Sequence, residues 1–220
     1  MFGRKKIAML VAEFLGTGIL TMVFLAVSKS SMGYPLFVSF AVGLVLVGLT
    51  LSLGAISGAH LNPAITLGLW TVRKVKTLPA LAYVAAQMLG AGGAYLLYSY
   101  LIGQDLPNST MHFDSKILVA ETLGTFIFSL GWAAAAYQRY EAGKAASVVG
   151  VSIVLGALAA SVANGGILNP AVAFGAHAFV WGTFVLGPVL GSVIGFNLYG
   201  LLFAPSASLT ESGVPAKKKK

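Results

Sequence analysis

The sequence predicts an all-α membrane protein with six transmembrane helices and two half-length helices, built as an inverted repeat. Three observations carry that prediction. Of the 220 residues, 57% are hydrophobic and only 9% are charged, with a mean hydropathy of +0.87. A soluble domain of this length has too little interior to hide so much apolar surface. The apolar residues fall in six stretches, each near the ~20 residues that cross a ~30 Å hydrocarbon core. One tetrapeptide also occurs twice, as Leu61-Asn62-Pro63-Ala64 and Leu168-Asn169-Pro170-Ala171.

The six stretches lie at about 7–28, 35–56, 79–101, 117–138, 146–164 and 181–203, joined by more polar connections at 29–34, 102–116 and 139–145. No clear cleavage site follows the first, so it reads as a retained helix rather than a signal peptide. With a cytoplasmic N-terminus, the inner side collects Arg4, Lys5, Lys6, Arg73, Lys74, Lys76, Arg139, Lys144 and Lys217 to Lys220, leaving Lys29 and Lys116 outside. Twelve cations against two place both termini in the cytoplasm. This topology accounts for the net charge of +8 without a nucleic-acid partner. Residues 204–220 read as a basic, disordered tail, in which Lys217 to Lys220 are a solvated charge run before they are a headgroup contact. The chain has no cysteine, which excludes a disulfide framework, a thiolate metal site and a cysteine nucleophile.

The halves repeat each other. Val11-Ala12-Glu13-Phe14-Leu15-Gly16-Thr17 matches Val119-Ala120-Glu121-Thr122-Leu123-Gly124-Thr125 at an offset of 108, and the tetrapeptides match at 107. Gln87-Met88-Leu89-Gly90 aligns with Pro188-Val189-Leu190-Gly191 at 101. Repeat one (about 7–101) and repeat two (about 117–203) form a single domain within 1–220. Each repeat holds three spans, and three is odd, so the second enters the membrane from the opposite face and the site belongs at the midplane.

Each tetrapeptide reads as a helix start, with Asn as N-cap and Pro at the first helical position. Each follows a polar break (Ser57-Gly58-Ala59-His60; Asn164-Gly165-Gly166-Ile167) and precedes an apolar run ending near Trp70 or Phe179. Nine or ten residues make roughly 15 Å of helix, about half a bilayer. Two facing helix N-termini disfavour cations between them. Each Asn can cap with its oxygen and keep NH2 hydrogens for a passenger. The irregular backbone before each Asn is tolerated at membrane depth only where it is buried or lines water. A neutral hydrogen-bonding molecule suits such a path.

On these paired motifs, with Glu-x-x-Gly-Thr at 13–17 and again at 121–125, the chain resembles the aquaporin (major intrinsic protein) family from Glu13 to about Phe203. The resemblance implies an aquaporin-like right-handed bundle and a homotetramer with one pore per subunit in the plasma membrane. It implies that Asn62, Pro63, Ala64, Asn169, Pro170 and Ala171 form the pore centre. Water and small neutral solutes would be its substrates, with no cofactor.

Glu13 and Glu121 are the only carboxylates within the spans. With no third carboxylate or basic partner for a proton relay, they read as supports for the half-helix loops, a role the resemblance also implies. His60, two residues before Asn62, is a candidate pore-lining residue. Its ordinary titration range makes a pH gate one reading and a satisfied loop histidine the other. His112 reads as a surface residue and His177 as packing, and the three show no metal-ligand spacing. Glycines at 187, 191 and 195, and at 90 and 93, read as close helix contacts. Trp70, Trp132 and Trp181 read as interfacial anchors or packing.

Family members usually carry Arg three residues after the second Asn, and here that position is Val172. Spacing from each Asn puts the other constriction positions at Val42, Ala157 and Gly166. All four are small or aliphatic, so the expected outer constriction is wide and apolar. Ala173 stands where glycerol-transporting relatives tend to carry Asp. A passive channel leads, either for water and small uncharged solutes or as a glycerol/urea-type facilitator. A coupled transporter lacks visible coupling groups, and a non-conducting structural protein is the remaining alternative. No nucleophile–base pair, metal cluster or phosphate loop supports an enzyme.

Overall fold

A computed structural model describes residues 3–107, 112–163 and 165–205. The predicted tail beyond residue 205, with Lys217 to Lys220, and Asn164 of the second polar break lie outside the described residues. Helices α1 (Arg4–Ser28), α2 (Pro35–Ser57), the short α3 (Pro63–Thr71) and α4 (Thr77–Ile102) form the first half. Helices α5 (Ser115–Gln138), α6 (Ala142–Ala160), the short α7 (Pro170–Gly175) and α8 (Leu186–Leu202) form the second. The six long segments are long and apolar enough to cross a membrane, so this is a multi-pass integral membrane protein.

Packing repeats with the sequence. Helix α1 lies on α4 and α2, as α5 lies on α8 and α6, and each half-helix packs against the last helix of the other half. Helices α2 and α6 join the halves through a reciprocal glycine contact. A Cβ on Gly43 would stand 2.8 Å from the Gly150 carbonyl oxygen, and one on Gly150 would stand 2.7 Å from that of Gly43. The predicted small-residue contacts have the same cause: a Cβ on Gly90 would strike the Phe14 carbonyl, and one on Gly191 that of Thr122.

Polarity is turned outward-in relative to a soluble protein. Leu44, Leu89, Leu96 and Leu101 are exposed on the outer faces, whereas Glu13, Glu121, Asn62, Asn169 and Gln87 are almost fully buried. At the loop joining α3 to α4, Lys74 Nζ lies 3.9 Å from the Tyr137 ring centroid and ties that loop to the end of α5. Burial, with the Arg139 charge nearby, holds its ammonium below the usual lysine range.

One boundary differs from expectation. Helix α3 spans nine residues, but α7 spans only six and stops short of Phe179. The chain turns at His177, whose φ is +56°, while the Ala178 amide donates back to the Ala173 carbonyl at 3.0 Å. That closure ends the half-helix. Of the tryptophans read as interfacial anchors or packing, Trp132 is buried in the second half of α5, while Trp70 and Trp181 are exposed.

Candidate functional site

The site begins with two loops that turn back inside the bundle. After α2, Gly58 has φ +91°, and the following Ala59 and Leu61 have φ +48° and +50°. In the other half, Gly166 has φ +114° and Leu168 +54°. Left-handed backbone costs a non-glycine residue roughly 1–2 kcal/mol, so these turns must be held by their surroundings.

The two buried glutamates hold them. Glu13 Oε1 accepts from Ser57 Oγ at 2.6 Å and the His60 amide at 3.0 Å, and Oε2 from the Leu61 amide at 2.8 Å. Glu121 Oε1 accepts from the amides of Gly166 and Ile167 at 2.6 and 3.0 Å, and Oε2 from Leu168 at 2.8 Å. The loop amides thus receive acceptors that lipid does not supply at that depth.

The asparagines then join the loops reciprocally. Asn62 Oδ1 accepts from the Ala64 amide at 2.8 Å, and its Nδ2 donates to the Leu168 carbonyl at 2.8 Å. Asn169 Oδ1 accepts from the Ala171 amide at 3.0 Å, and its Nδ2 donates to the Leu61 carbonyl at 2.9 Å. The left-handed leucines are what present those carbonyls to the opposite loop. Each NH2 commits one hydrogen and retains one.

The first half carries a further polar layer that sequence reasoning did not assign. Gln87 Nε2 donates to Glu13 Oε2 at 2.7 Å and to Thr66 Oγ1 at 3.0 Å. The Tyr83 hydroxyl donates to the Ser57 carbonyl at 2.8 Å, and His60 Nδ1 lies 3.2 Å from Thr66 Oγ1. The repeat places Pro188, Ala173 and Ile167 where Gln87, Thr66 and His60 stand, so the second half lacks this layer. The one sequence signal was a lone amide within an apolar span.

Val42, Ala157, Gly166 and Val172 come together around a cavity of about 10 Å³, with Leu20, Phe24, Ile153, Ile167 and Asn169. That is space for about one water. His112 is exposed, while His177 stacks on Tyr95 with ring centroids 4.1 Å apart. Among the described residues no group of three or more His, Cys, Asp or Glu side chains is placed to hold a metal.

Residues 4–199 match the sequence profile of the Major intrinsic protein family. The chain belongs to this family. Major intrinsic proteins are membrane channels and not enzymes. Aquaporin-5 of Homo sapiens is 35% identical over 91% of this chain and 83% of its own length. The lens fiber major intrinsic protein of Homo sapiens is 34% identical, covering 88% and 80%. The X-ray structure of the aquaglyceroporin from Plasmodium falciparum superposes with a TM-score of 0.74, covering 90% of this chain and 96% of that one. At 21% identity it supports the aquaporin-like architecture alone.

Proposed function

We propose that the chain is a passive channel for water and small uncharged solutes, with its path crossing the junction of the α3 and α7 N-termini. The reciprocal Asn62–Leu168 and Asn169–Leu61 bonds carry this reading. They bring two capped helix starts together in the bundle interior, each contributing about half a positive charge. A cation there is opposed from both sides and finds no compensating carboxylate, because Glu13 and Glu121 are occupied by the loops. A neutral molecule can accept from the remaining Asn hydrogens while its neighbours in file turn to suit.

Val42, Ala157, Gly166 and Val172 form the outer constriction in this reading. Its side chains offer no cationic donor, and its volume of about 10 Å³ supports a narrow apolar neck rather than the wide opening expected from residue size alone. The absence of Arg at residue 172 supports a second reading, a glycerol- or urea-type facilitator with little preference for water. The same proposal includes cytoplasmic termini, a plasma-membrane location and a homotetramer.

Light-scattering flux in proteoliposomes tests it, with an impermeant osmolyte and then with glycerol and urea, comparing wild type with Val172→Arg. Fast water flux and solute flux reduced by the Arg are expected. Wild-type flux no faster than empty liposomes, in folded and inserted protein, refutes the open channel and favours a structural role.

A further inference from the structure

The inverted repeat gives every residue of the outer neck an image on the other side of the asparagine pair, nearer the face that carries the N-terminus. The offset of 108 takes Leu20 and Phe24 of the neck to Phe128 and Trp132. The offset of 107, which the facing Gly43 and Gly150 share, takes Val42 to Val149, Ala157 to Thr50 and Ile167 to His60. The image of this largely apolar neck, whose own polar side chains are Ser39 and Asn169, therefore contains an indole, a hydroxyl and an imidazole.

Packing agrees with the mapping. On α5, Gly124 and Gly131 abut α6 at Gly156 and Ser152, and Ser129 reaches the Gly191 carbonyl of α8. Between those faces Glu121, Phe128 and Trp132 follow helical spacing along one stripe, and Glu121 holds the central loop. Trp132 meets His60 edge-on, with ring centroids 5.6 Å apart at 89°.

Two of the mapped polar atoms lack protein partners. Trp132 Nε1 and Thr50 Oγ1 are buried with no hydrogen-bond partner among the described residues. A buried unpaired donor is costly, and an ordered water or a ligand is the usual resolution. The network suits one histidine tautomer. The Thr66 hydroxyl gives its hydrogen to the Asn62 carbonyl at 3.0 Å and accepts from Gln87. In the tautomer that suits this arrangement, His60 Nδ1 donates to Thr66 Oγ1 and Nε2 keeps a free lone pair.

We infer that Trp132, His60 and Thr50 form a polar constriction on the N-terminal side of the asparagine pair, where permeating molecules are selected by hydrogen bonding. Trp132 donates, His60 Nε2 accepts and Thr50 does either. The site takes one water, or one small neutral molecule bearing both donor and acceptor groups, such as an amide or a polyol. Polar discrimination thus lies on the opposite side of the pore centre from the Arg-free neck. This rests on the channel reading.

Two measurements test it. In proteoliposomes, Trp132→Phe keeps a ring but removes the donor, and Thr50→Val removes the hydroxyl at nearly constant shape. Each should lower water and urea flux roughly fivefold, the rate equivalent of one lost hydrogen bond. Separately, the three indole N–H signals of nitrogen-15-labelled protein in nanodiscs are followed after transfer to D2O, with Trp132 assigned by its loss in Trp132→Phe. Exchange within the dead time is expected for Trp132. Flux within twofold of wild type in both folded variants overturns the inference, as does a Trp132 signal that persists for hours. A wild type without flux defeats the channel reading alone, and Trp132 exchange still decides whether water reaches the ring.

Discussion

Glu13→Gln and Glu121→Gln make the same chemical change in equivalent positions, yet the structure requires unequal costs. An amide keeps one acceptor oxygen and turns the other into an NH2 that needs acceptors of its own. At Glu121 all three partners are backbone amides. The best orientation keeps Gly166 and Ile167 but sets NH2 against the Leu168 amide, leaving one backbone donor and one side-chain amide unpaired. At roughly 1–3 kcal/mol for each, the loss is about 4 kcal/mol. At Glu13 one partner is adaptable. The Ser57 hydroxyl can accept instead of donating, so an NH2 at the Oε1 position has a partner while Oε2 still accepts from Leu61 and Gln87. Only the His60 amide is then stranded, for about 2 kcal/mol. Reversible unfolding in mixed detergent micelles should therefore separate the two variants by about 2 kcal/mol, nearly 30-fold in the unfolding equilibrium. Glu13→Gln with Ser57→Ala should lose this advantage. Equal destabilisation of the single variants, or a greater loss for Glu13→Gln, would refute the reasoning.

The central junction should behave as one unit. Asn62→Ala and Asn169→Ala each remove a cap and a bond to the opposite loop, and unfolding of the two singles and the double should give a coupling of about 0.5–3 kcal/mol. Additivity would mean that the loops are held independently. Gly166→Ala should destabilise by about 1–3 kcal/mol, because Gly166 has φ +114° and a Cβ there would stand 2.8 Å from the Ala157 carbonyl oxygen. Thermal unfolding checks this, and an unchanged midpoint would mean that the loop relaxes freely.

The features legible in the sequence are those that local rules dictate. The spans follow from length and hydropathy, and Asn62 and Asn169 from cap chemistry. Glu13 and Glu121 stood out as lone carboxylates in apolar helices. Val42 and Ala157 were placed by ungapped spacing, and both line the same cavity as Val172 because α2 and α6 run unbroken through those positions. Gln87 was not assigned, because its role depends on how α4 rotates against α1, and its partner is 74 residues away in sequence. The early end of α7 was hidden because Ala173 to Phe179 contains no proline, and its turn uses a left-handed histidine. Trp132 was read as an interfacial anchor or packing, and only the fold puts it beside His60.

The halves share the residues that shape backbone and differ in those that face the interior. Glutamate, glycine and the Asn-Pro pair recur because any half-helix that starts inside a membrane needs an acceptor for its loop amides and a cap for its first turn. Lining side chains carry no such obligation. In the proposed channel, a water in the largely apolar 10 Å³ neck loses most lateral hydrogen bonds and relies on its neighbours in file. That loss is tolerable if the neck is short and a donor stands at its inner end. Asn169 lines the neck cavity itself, so a molecule that leaves the aliphatic wall meets a polar partner within the same space. The polar layer around His60 then extends solvation toward the other face. The path would pair a brief desolvation with immediate recovery, which favours small neutral molecules over ions that cannot shed water at all.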